Sequence, residues 1–275
     1  MRRRGTMPSG SKKDRFTGRV VLVTGAGAGI GRATARYLAA EGGNVACLDY
    51  DVSAVNNTAR QIVEDGGLAF PLSCDVSMEE EVQSAVHHVV ESLGDLDVLV
   101  ANAGVAGPVG PIVDLDLQSW LQLLSVNLTG QLLCAKYALR HMTRRQKGVI
   151  VFTASHASFA AVPGWTPYAA TKGAVLSLTR GLAVDHAPDN IRVNCVSPGP
   201  IRTQLLSEGY VDIAKGGGQH DGSSRGRIGS PEEIASIIAF LASDDAELVN
   251  GTSVVADAGA LAHMGISWPS NAYWS

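Results

Sequence analysis

Short runs rich in Val, Ile and Leu alternate along the chain with longer segments in which apolar residues recur at helical spacing. The first pattern is typical of strands buried on both faces of a parallel sheet, and the second of helices with one apolar face. The predicted strands occupy 19–24, 44–49, 68–75, 96–104, 148–155, 191–199 and 251–259. The predicted helices occupy 30–43, 52–65, 77–94, 116–145, 168–186 and 230–243. The alternation predicts an α/β fold, a parallel sheet with helices on both faces.

The alternation continues to the last predicted strand without a break in composition or an internal repeat, which favours one domain over two in 275 residues. The segment 204–229 differs, because its stretch KGGGQHDGSSRG has too many glycines for a helix or a strand. Long loops in compact domains often serve as lids. We therefore predict a main domain over 16–262 with a substrate lid at about 204–229, a disordered basic leader over 1–15 and an aromatic tail over 263–275.

The basic residues are concentrated at the start of the chain. Seven Lys and Arg residues and one Asp lie among the first 19 residues, which gives this segment a charge of +6 and leaves −10 for the rest of a chain whose net charge is −4. Nucleic-acid binding requires clustered basic side chains that contact phosphates. The acidic main domain therefore predicts no nucleic-acid partner.

Targeting signals and cysteine positions indicate the compartment. The leader lacks the apolar core of a secretory signal, and polar residues interrupt the longest uncharged stretch, 148–171, so we expect no membrane span. The cysteines are far apart in apolar segments, which predicts reduced core thiols rather than disulfides or a metal site. They are Cys47, Cys74, Cys134 and Cys195. We predict a cytoplasmic protein that binds no metal.

The stretch TGAGAGIG at 24–31 joins the first predicted strand to the first predicted helix. Glycines at such a turn let the backbone approach a pyrophosphate, which binds at the positive end of the helix dipole. The glycines Gly25, Gly29 and Gly31 follow a T-G-x-x-x-G-x-G spacing, which differs from G-x-G-x-x-G. The place of the turn between a strand and a helix nevertheless predicts dinucleotide binding.

Asp49 ends the second predicted strand, 18 residues after Gly31. A carboxylate there accepts hydrogen bonds from the ribose hydroxyls of NAD and repels the 2′-phosphate of NADP. Neither Ala28 in the turn nor Tyr50 after the strand offers a positive charge for that phosphate. We therefore predict NAD as the cofactor. The alternative is a polar residue at a strand end that binds no ligand.

Tyr168 and Lys172 are four positions apart in the small-residue stretch PYAATKGAV. Residues at this spacing share one face of a helix, so the phenol and the ammonium can meet. An isolated tyrosine has a pKa of about 10, and a neighbouring positive charge lowers it, which favours proton transfer near neutral pH. The alternative is an exposed helix that carries one Tyr and one Lys without a joint role.

Taken in order, these motifs resemble the short-chain dehydrogenase/reductase family over roughly 16–262. The turn at 24–31 resembles the family's cofactor turn, and CDV at 74–76 resembles its adenine-contacting segment. NAG at 102–104 resembles the motif that steadies the central sheet, and SPG at 197–199 lies where the nicotinamide end is bound. The resemblance implies a single-domain, Rossmann-like, doubly wound sheet of about seven strands. It also implies a homotetramer built through two long helices. The aromatic residues of the tail either belong to a frayed end or pack onto a neighbouring subunit near its active site.

Asn127, Ser155, Tyr168 and Lys172 resemble the family's catalytic set, and the separation of 13 between Ser155 and Tyr168 matches the family. The resemblance implies that Tyr168 transfers the proton of a secondary alcohol and that Ser155 hydrogen-bonds the substrate oxygen. Lys172 would also hold the nicotinamide ribose, and Asn127 would hold a water in a proton path. Asp257 lies in DAG where the family usually has D-G-G, and we assign it a structural role.

The resemblance implies a cofactor site that extends from the glycine turn to the SPG motif. Its residues are Gly25, Gly29, Ile30, Gly31, Asp49, Asp75, Val76, Asn102, Gly104, Tyr168, Lys172, Pro198, Gly199, Ile201 and Thr203. It further implies a mainly apolar substrate pocket. The pocket residues are Val105, Ala106, Pro108, His156, Trp165, Leu205 and Leu206. This lining favours a cyclic or otherwise hydrophobic substrate, with His156 in the wall.

The predicted function is an NAD-dependent oxidoreductase that interconverts a cyclic or otherwise hydrophobic secondary alcohol and its ketone by hydride transfer. One alternative is a 3-oxoacyl thioester reductase, against which Asp49 argues because biosynthetic reductions usually use NADPH. Another is a non-catalytic NAD-binding scaffold, against which the presence of Ser155, Tyr168 and Lys172 argues. A hydrolase built on Ser155 and His156 would need a G-x-S-x-G turn, which the sequence lacks around that serine.

Overall fold

The computed structural model describes residues 14–209 and 227–262. The predicted leader up to residue 13, the lid over 210–226 and the aromatic tail lie outside the described residues. The division of the chain into leader, domain, lid and tail therefore stays a prediction.

Seven strands lie within these residues, and each is parallel to its neighbours. They are β1 Val20–Thr24, β2 Asn44–Asp49, β3 Leu68–Ser73, β4 Leu96–Ala101, β5 Gly148–Thr153, β6 Ile191–Pro198 and β7 Ser253–Ala256. The order in the sheet is β3-β2-β1-β4-β5-β6-β7. The chain therefore builds one half of the sheet outward from β1 and the other half outward from β4. Ligands of such doubly wound sheets bind at the carboxyl ends of the strands where the order reverses.

Eight α-helices connect or flank the strands in the described part of the chain. They are α1 Gly29–Ala40, α2 Val52–Glu64, α3 Glu79–Leu93, α4 Leu117–Leu124, α5 Gln131–Arg145, α6 Thr166–Asp185, α7 Gln204–Gly209 and α8 Pro231–Ala242. The helix predicted over 116–145 is not one regular helix, because a π-helical turn at Ser125–Gly130 separates α4 from α5. π-turns often occur at functional sites, and this one contains Asn127.

Two apolar cores lie on opposite faces of the sheet. Alternate residues of β1 divide between them: Leu22 packs with α3, α5 and α6, whereas Val21 and Val23 pack with α1, α2 and α8. All three of these side chains are fully buried. The α/β prediction with helices on both faces is thus confirmed.

The two ends of the segment predicted as a lid are held next to each other. Ile201 and Gly229 form an isolated parallel bridge, in which Gly229 N donates to Pro200 O and Arg202 N donates to Gly229 O, each at 3.0 Å. A capping box then begins α8, because Ser230 N donates to the Glu233 side chain at 2.9 Å. The helix start therefore anchors the returning chain.

The helices of residues 14–209 and 227–262 include none long and apolar enough to cross a membrane.

Candidate active site

The turn between β1 and α1 brings backbone so close to backbone that glycine is required. A Cβ atom added to Gly31 would lie 2.0 Å from Gly25 O, and one added to Gly25, whose φ is +66°, would lie 3.0 Å from the Asn102 side chain. Helix α1 starts at this turn without a side-chain cap and without an acidic residue in its first turn. Its first N–H groups are thus available to an anion in the cleft that Gly29 and Ile30 line.

Asp49 lies at the end of β2 beside this turn. Its carboxylate accepts hydrogen bonds from Gly27 N at 2.8 Å and from Asp51 N at 3.0 Å. Each carboxylate oxygen can accept further bonds, so the group stays able to bind hydroxyls in the cleft that it lines. Tyr50 follows on the surface with an exposed fraction of 77 %.

Asn102 joins three neighbouring strands at their carboxyl ends. Its backbone N–H donates to Thr24 Oγ1 at 2.9 Å and its side chain donates to Thr24 O at 3.1 Å, while Thr153 Oγ1 donates to its side-chain oxygen at 3.2 Å. Thr24, Asn102 and Thr153 end or follow β1, β4 and β5. The NAG motif therefore links the strands on which the cleft is built.

The adenine-side residues differ in exposure. Asp75 is exposed and accepts from Ser77 N at 2.9 Å and from Ser77 Oγ at 2.7 Å. Val76 is buried, and a Cβ added to Gly130 would lie 2.8 Å from its side chain. Both residues line the cleft next to the glycine turn.

Ser155, Tyr168 and Lys172 meet at the other end of the cleft. Ser155 follows β5, and its hydroxyl oxygen accepts from Ala157 N at 3.1 Å. Tyr168 and Lys172 share one face of α6, with the Lys172 ammonium 5.7 Å from the centre of the Tyr168 ring. Both side chains are buried, at 9 % and 3 % exposure. The helix face that carries Tyr168 and Lys172 is therefore not exposed, in contrast to the alternative interpretation.

The Lys172 ammonium is held in place by the backbone at the end of β5. Nζ donates to Thr153 O at 2.8 Å, and burial lowers the pKa of Lys172 to about 8. A Cβ added to Gly104 would lie 3.4 Å from Nζ and 3.3 Å from Asn127 Oδ1. The absence of a side chain at Gly104 thus leaves room for both polar groups.

Asn127 is fully buried in the π-turn, and its amide pairs with the backbone of one residue. Oδ1 accepts from Val105 N at 2.8 Å, and Nδ2 donates to Val105 O at 2.9 Å. A longer contact of 3.4 Å joins Nδ2 to Thr171 Oγ1. Asn127 therefore fixes the chain after the NAG motif against α6, a contact that the sequence did not reveal.

The end of β6 and the segment after it also line the cleft. The residues that do so include Pro198, Gly199, Ile201 and Thr203. A Cβ added to Gly199 would lie 2.7 Å from the Asp257 backbone, and the Thr203 methyl group packs against Gly29. The Asp257 carboxylate accepts from Gly259 N at 2.9 Å and Leu261 N at 2.7 Å. These bonds agree with the structural role predicted for Asp257.

The cleft has a volume of about 610 Å³, and all the predicted cofactor residues except Gly31 line it. Trp165 is buried with its ring edge-on to Tyr168, at 5.3 Å between centres. Six of the seven predicted pocket residues line the cleft, and Pro108 does not. The lining residues that sequence reasoning missed include Gln122, Val126 and Val162. The four-residue spacing of Gln122 and Val126 is a helical-face signal that no motif marked.

In the two described ranges, no three His, Cys, Asp or Glu side chains are grouped as metal ligands would be. The four cysteines are free and buried.

Comparison with known proteins decides the family. The family model described as "Enoyl-(Acyl carrier protein) reductase" matches residues 25–260, and curated dehydrogenases match about nine-tenths of the chain. The chain belongs to the short-chain dehydrogenase/reductase family. It is an oxidoreductase, as the resemblance implied.

Members of this short-chain dehydrogenase/reductase family match over nearly their whole length. The meso-2,3-butanediol dehydrogenase of Serratia marcescens is 38% identical over 251 residues, which are 91% of this chain and 98% of that protein. The cis-4-hydroxycyclohexanecarboxylate dehydrogenase of Sinomonas cyclohexanicum is 40% identical over 244 residues, 89% of this chain and 97% of that protein. The crystal structure of levodione reductase superposes with a TM-score of 0.86 at 33% identity and covers 90% of this chain and all of its own. The predicted seven-stranded Rossmann-like sheet is confirmed.

Proposed function

We propose that this chain is an NAD-dependent dehydrogenase that interconverts a cyclic or otherwise hydrophobic secondary alcohol and its ketone. The observation that carries the proposal is the burial of Tyr168 and Lys172 together, beside Ser155, in the cleft that also contains Asp49. A proton-transfer group and a dinucleotide site in one cleft suit hydride exchange at a carbinol carbon.

The residues at the glycine turn fit a dinucleotide. The turn excludes side chains, the uncapped start of α1 suits a pyrophosphate, and Asp49 offers carboxylate oxygens for ribose hydroxyls. When bound, the nicotinamide accepts a hydride from the alcohol or returns it to the ketone. Lys172 would hold the ribose next to it, and the segment from Pro198 to Thr203 would hold its carboxamide.

Ser155 and Tyr168 would act on the substrate oxygen. The Ser155 hydroxyl hydrogen-bonds that oxygen, and the Tyr168 phenol takes its proton in oxidation or supplies it in reduction. Lys172, whose pKa is about 8, carries its charge at neutral pH and stabilises negative charge on the phenolic oxygen. Asn127 holds the backbone of Val105 in the cleft wall through two hydrogen bonds.

The substrate class follows from the cleft wall. Val105, Ala106, Val162, Trp165 and Leu205 give the wall a mainly apolar surface. A ring or an alkyl group would gain free energy by leaving water there. The relatives named for a hydroxycyclohexanecarboxylate and for cyclohexanol support a cyclic substrate for this chain.

The test is the absorbance of reduced nicotinamide across a panel of secondary alcohols, with NAD and NADP in parallel and Tyr168→Phe as the control. We expect turnover with NAD that the substitution reduces by about 1,000-fold or more. Tight NAD binding without turnover of any alcohol or ketone would instead favour the scaffold alternative, and turnover with 3-oxoacyl thioesters alone would favour the reductase alternative.

We also infer a homotetramer and a cytoplasmic location. Exposed apolar side chains on α4 and α6 support assembly, since Leu117 is 67 % and Val184 is 74 % exposed in the single chain. Four buried free thiols support a reducing compartment. Light scattering after gel filtration should give four times the chain mass of 28.7 kDa, and a monomer mass would contradict the assembly.

A further inference from the structure

His156 directly follows the serine that we propose holds the reacting oxygen. A short 3-10 turn, His156–Ser158, begins there because Ser155 Oγ accepts from Ala157 N. The turn places the imidazole in the lining of the same cleft as Ser155 and Tyr168. His156 is therefore the cleft-lining residue next in sequence to the serine that would bind the carbinol oxygen.

Within the described ranges, the imidazole of His156 is a polar group without a hydrogen-bond partner. Neither ring nitrogen hydrogen-bonds with any residue of 14–209 or 227–262. Asp257 is the carboxylate that acts on the ring electrostatically, but both of its oxygens already accept from backbone N–H groups. Burial lowers the pKa of His156, and this effect exceeds the opposing one of Asp257. The ring is thus neutral at neutral pH, with one donor and one acceptor nitrogen.

The surroundings make this ring an unusual part of the wall. Val162, Trp165 and Leu205 give the neighbouring lining an apolar surface, while the polar side chains Gln122 and Gln204 also line the cleft. Gln122 is exposed, whereas His156 is partly buried beside the reacting centre. A partly buried polar group without a partner loses free energy unless a ligand satisfies it.

We propose that His156 is a specificity-determining residue that hydrogen-bonds a second, neutral oxygen of the substrate, so that the substrate class is diols and hydroxyketones rather than simple alcohols. The inference rests on the proposed alcohol dehydrogenase function. A neutral imidazole can accept from a hydroxyl or donate to a carbonyl, which suits both the diol and the hydroxyketone formed from it. A site built to hydrogen-bond a substrate hydroxyl discriminates strongly against the analogue that lacks it.

The experiment compares two substrates that share one carbocycle. The values of kcat/KM for cyclohexane-1,2-diol, with the cis and trans isomers assayed separately, are divided by the value for cyclohexanol. The ratio is measured for the unsubstituted chain, His156→Phe, His156→Gln and the control His87→Phe, which alters a histidine on the surface of α3. General effects on folding or cofactor binding cancel in this ratio.

We expect the unsubstituted chain to prefer one diol isomer by roughly tenfold or more, and His156→Phe to remove most of that preference. His156→Gln should keep part of it, since an amide also donates and accepts, and His87→Phe should keep all of it. A preference that survives in His156→Phe, or that never exists, would overturn the inference. Turnover of cyclohexanol in that case leaves the proposed function intact, whereas the absence of turnover with every secondary alcohol of the panel would overturn both.

Discussion

The ammonium of Lys172 donates a hydrogen bond to the backbone carbonyl of Thr153 over 2.8 Å, in a site where the lysine side chain is almost fully buried. One carbonyl compensates only part of what a charged group loses when it leaves water. The proposed catalytic set is therefore assembled at a cost to stability, in agreement with the lowering of the Lys172 pKa to about 8.

Lys172→Met should show this cost as a pH-dependent change in stability. Because the pKa of Lys172 is lowered from 10.5 to about 8, the unfolded chain binds more protons at this site than the folded protein between those pH values. The free energy of unfolding of the unsubstituted protein should therefore rise with pH across this window, by up to about 3 kcal/mol relative to Lys172→Met. Urea unfolding of the cofactor-free proteins at pH 7 and pH 10 measures the difference.

A matched control for that series is Lys136→Met on α5, which removes an exposed ammonium paired with Glu79. The difference in the free energy of unfolding between Lys136→Met and the unsubstituted protein should not change with pH in this way between pH 8 and pH 10. A constant difference between Lys172→Met and the unsubstituted protein over this range would contradict the prediction.

Asp49→Asn should weaken the choice between the two nicotinamide cofactors. The substitution removes a negative charge next to the place expected for the 2′-position of the ribose, where a phosphate would be repelled. The ratio of kcat/KM with NAD to kcat/KM with NADP should fall by roughly tenfold or more. Steady-state kinetics with both cofactors measure it, with Asp65→Asn at the far end of α2 as the charge-matched control. An unchanged ratio would show that Asp49 does not select the cofactor.

Gly31→Ala and Gly181→Ala should change stability in opposite directions. The first places a methyl group 2.0 Å from Gly25 O and should lower the free energy of unfolding by at least about 3 kcal/mol. The second lies in α6 with no atom of the described chain within 4 Å of the added group, and should raise it by roughly 0.5–1 kcal/mol. Thermal unfolding of both variants tests the pair, and a well-folded, cofactor-binding Gly31→Ala protein is the result that would refute it.

Asn127→Ala should destabilise the protein and impair turnover together. It removes both partners of the Val105 backbone, and the loss should be about 2 kcal/mol or more. Since Val105 lines the cleft, kcat/KM should fall as well. Denaturant unfolding should show a lower free energy of unfolding, and kinetics should show a lower kcat/KM. The control Asn57→Ala, which removes an exposed contact to Arg60, should change neither quantity. Normal stability with reduced turnover would indicate the water-holding role instead.

Local patterns predicted most of the fold. The strand at 44–49 was predicted with the bounds that the structure has, because an uninterrupted apolar run flanked by a glycine pair and a charged residue leaves few alternatives. The face shared by Tyr168 and Lys172 follows from helical geometry alone, but their burial depends on Thr153 and Gly104, which are distant in sequence.

Features that depend on distant contacts were not predictable. The π-turn at Ser125–Gly130 contains Asn127, whose partner Val105 is 22 residues away and belongs to no regular element. Gln122 and Val126 reach the cleft through the packing of α4 against the rest of the site, which periodicity does not encode. The neutral imidazole of His156 likewise results from its surroundings, since adjacency to Ser155 alone says nothing about burial.

The bridge between Ile201 and Gly229 brings together the two ends of a 27-residue excursion, whose first part lines the cleft from Thr203 to Leu206. The chain leaves β6 and returns to the start of α8 through this bridge. The register of β6 and the start of α8 therefore do not depend on the route of the chain in between. The entropy of closing a loop grows by only about 0.6 kcal/mol for each doubling of its length. Changes in the length or composition of the excursion after Leu206 should therefore leave β6 and α8 undisturbed, so that this segment and the framework can evolve separately.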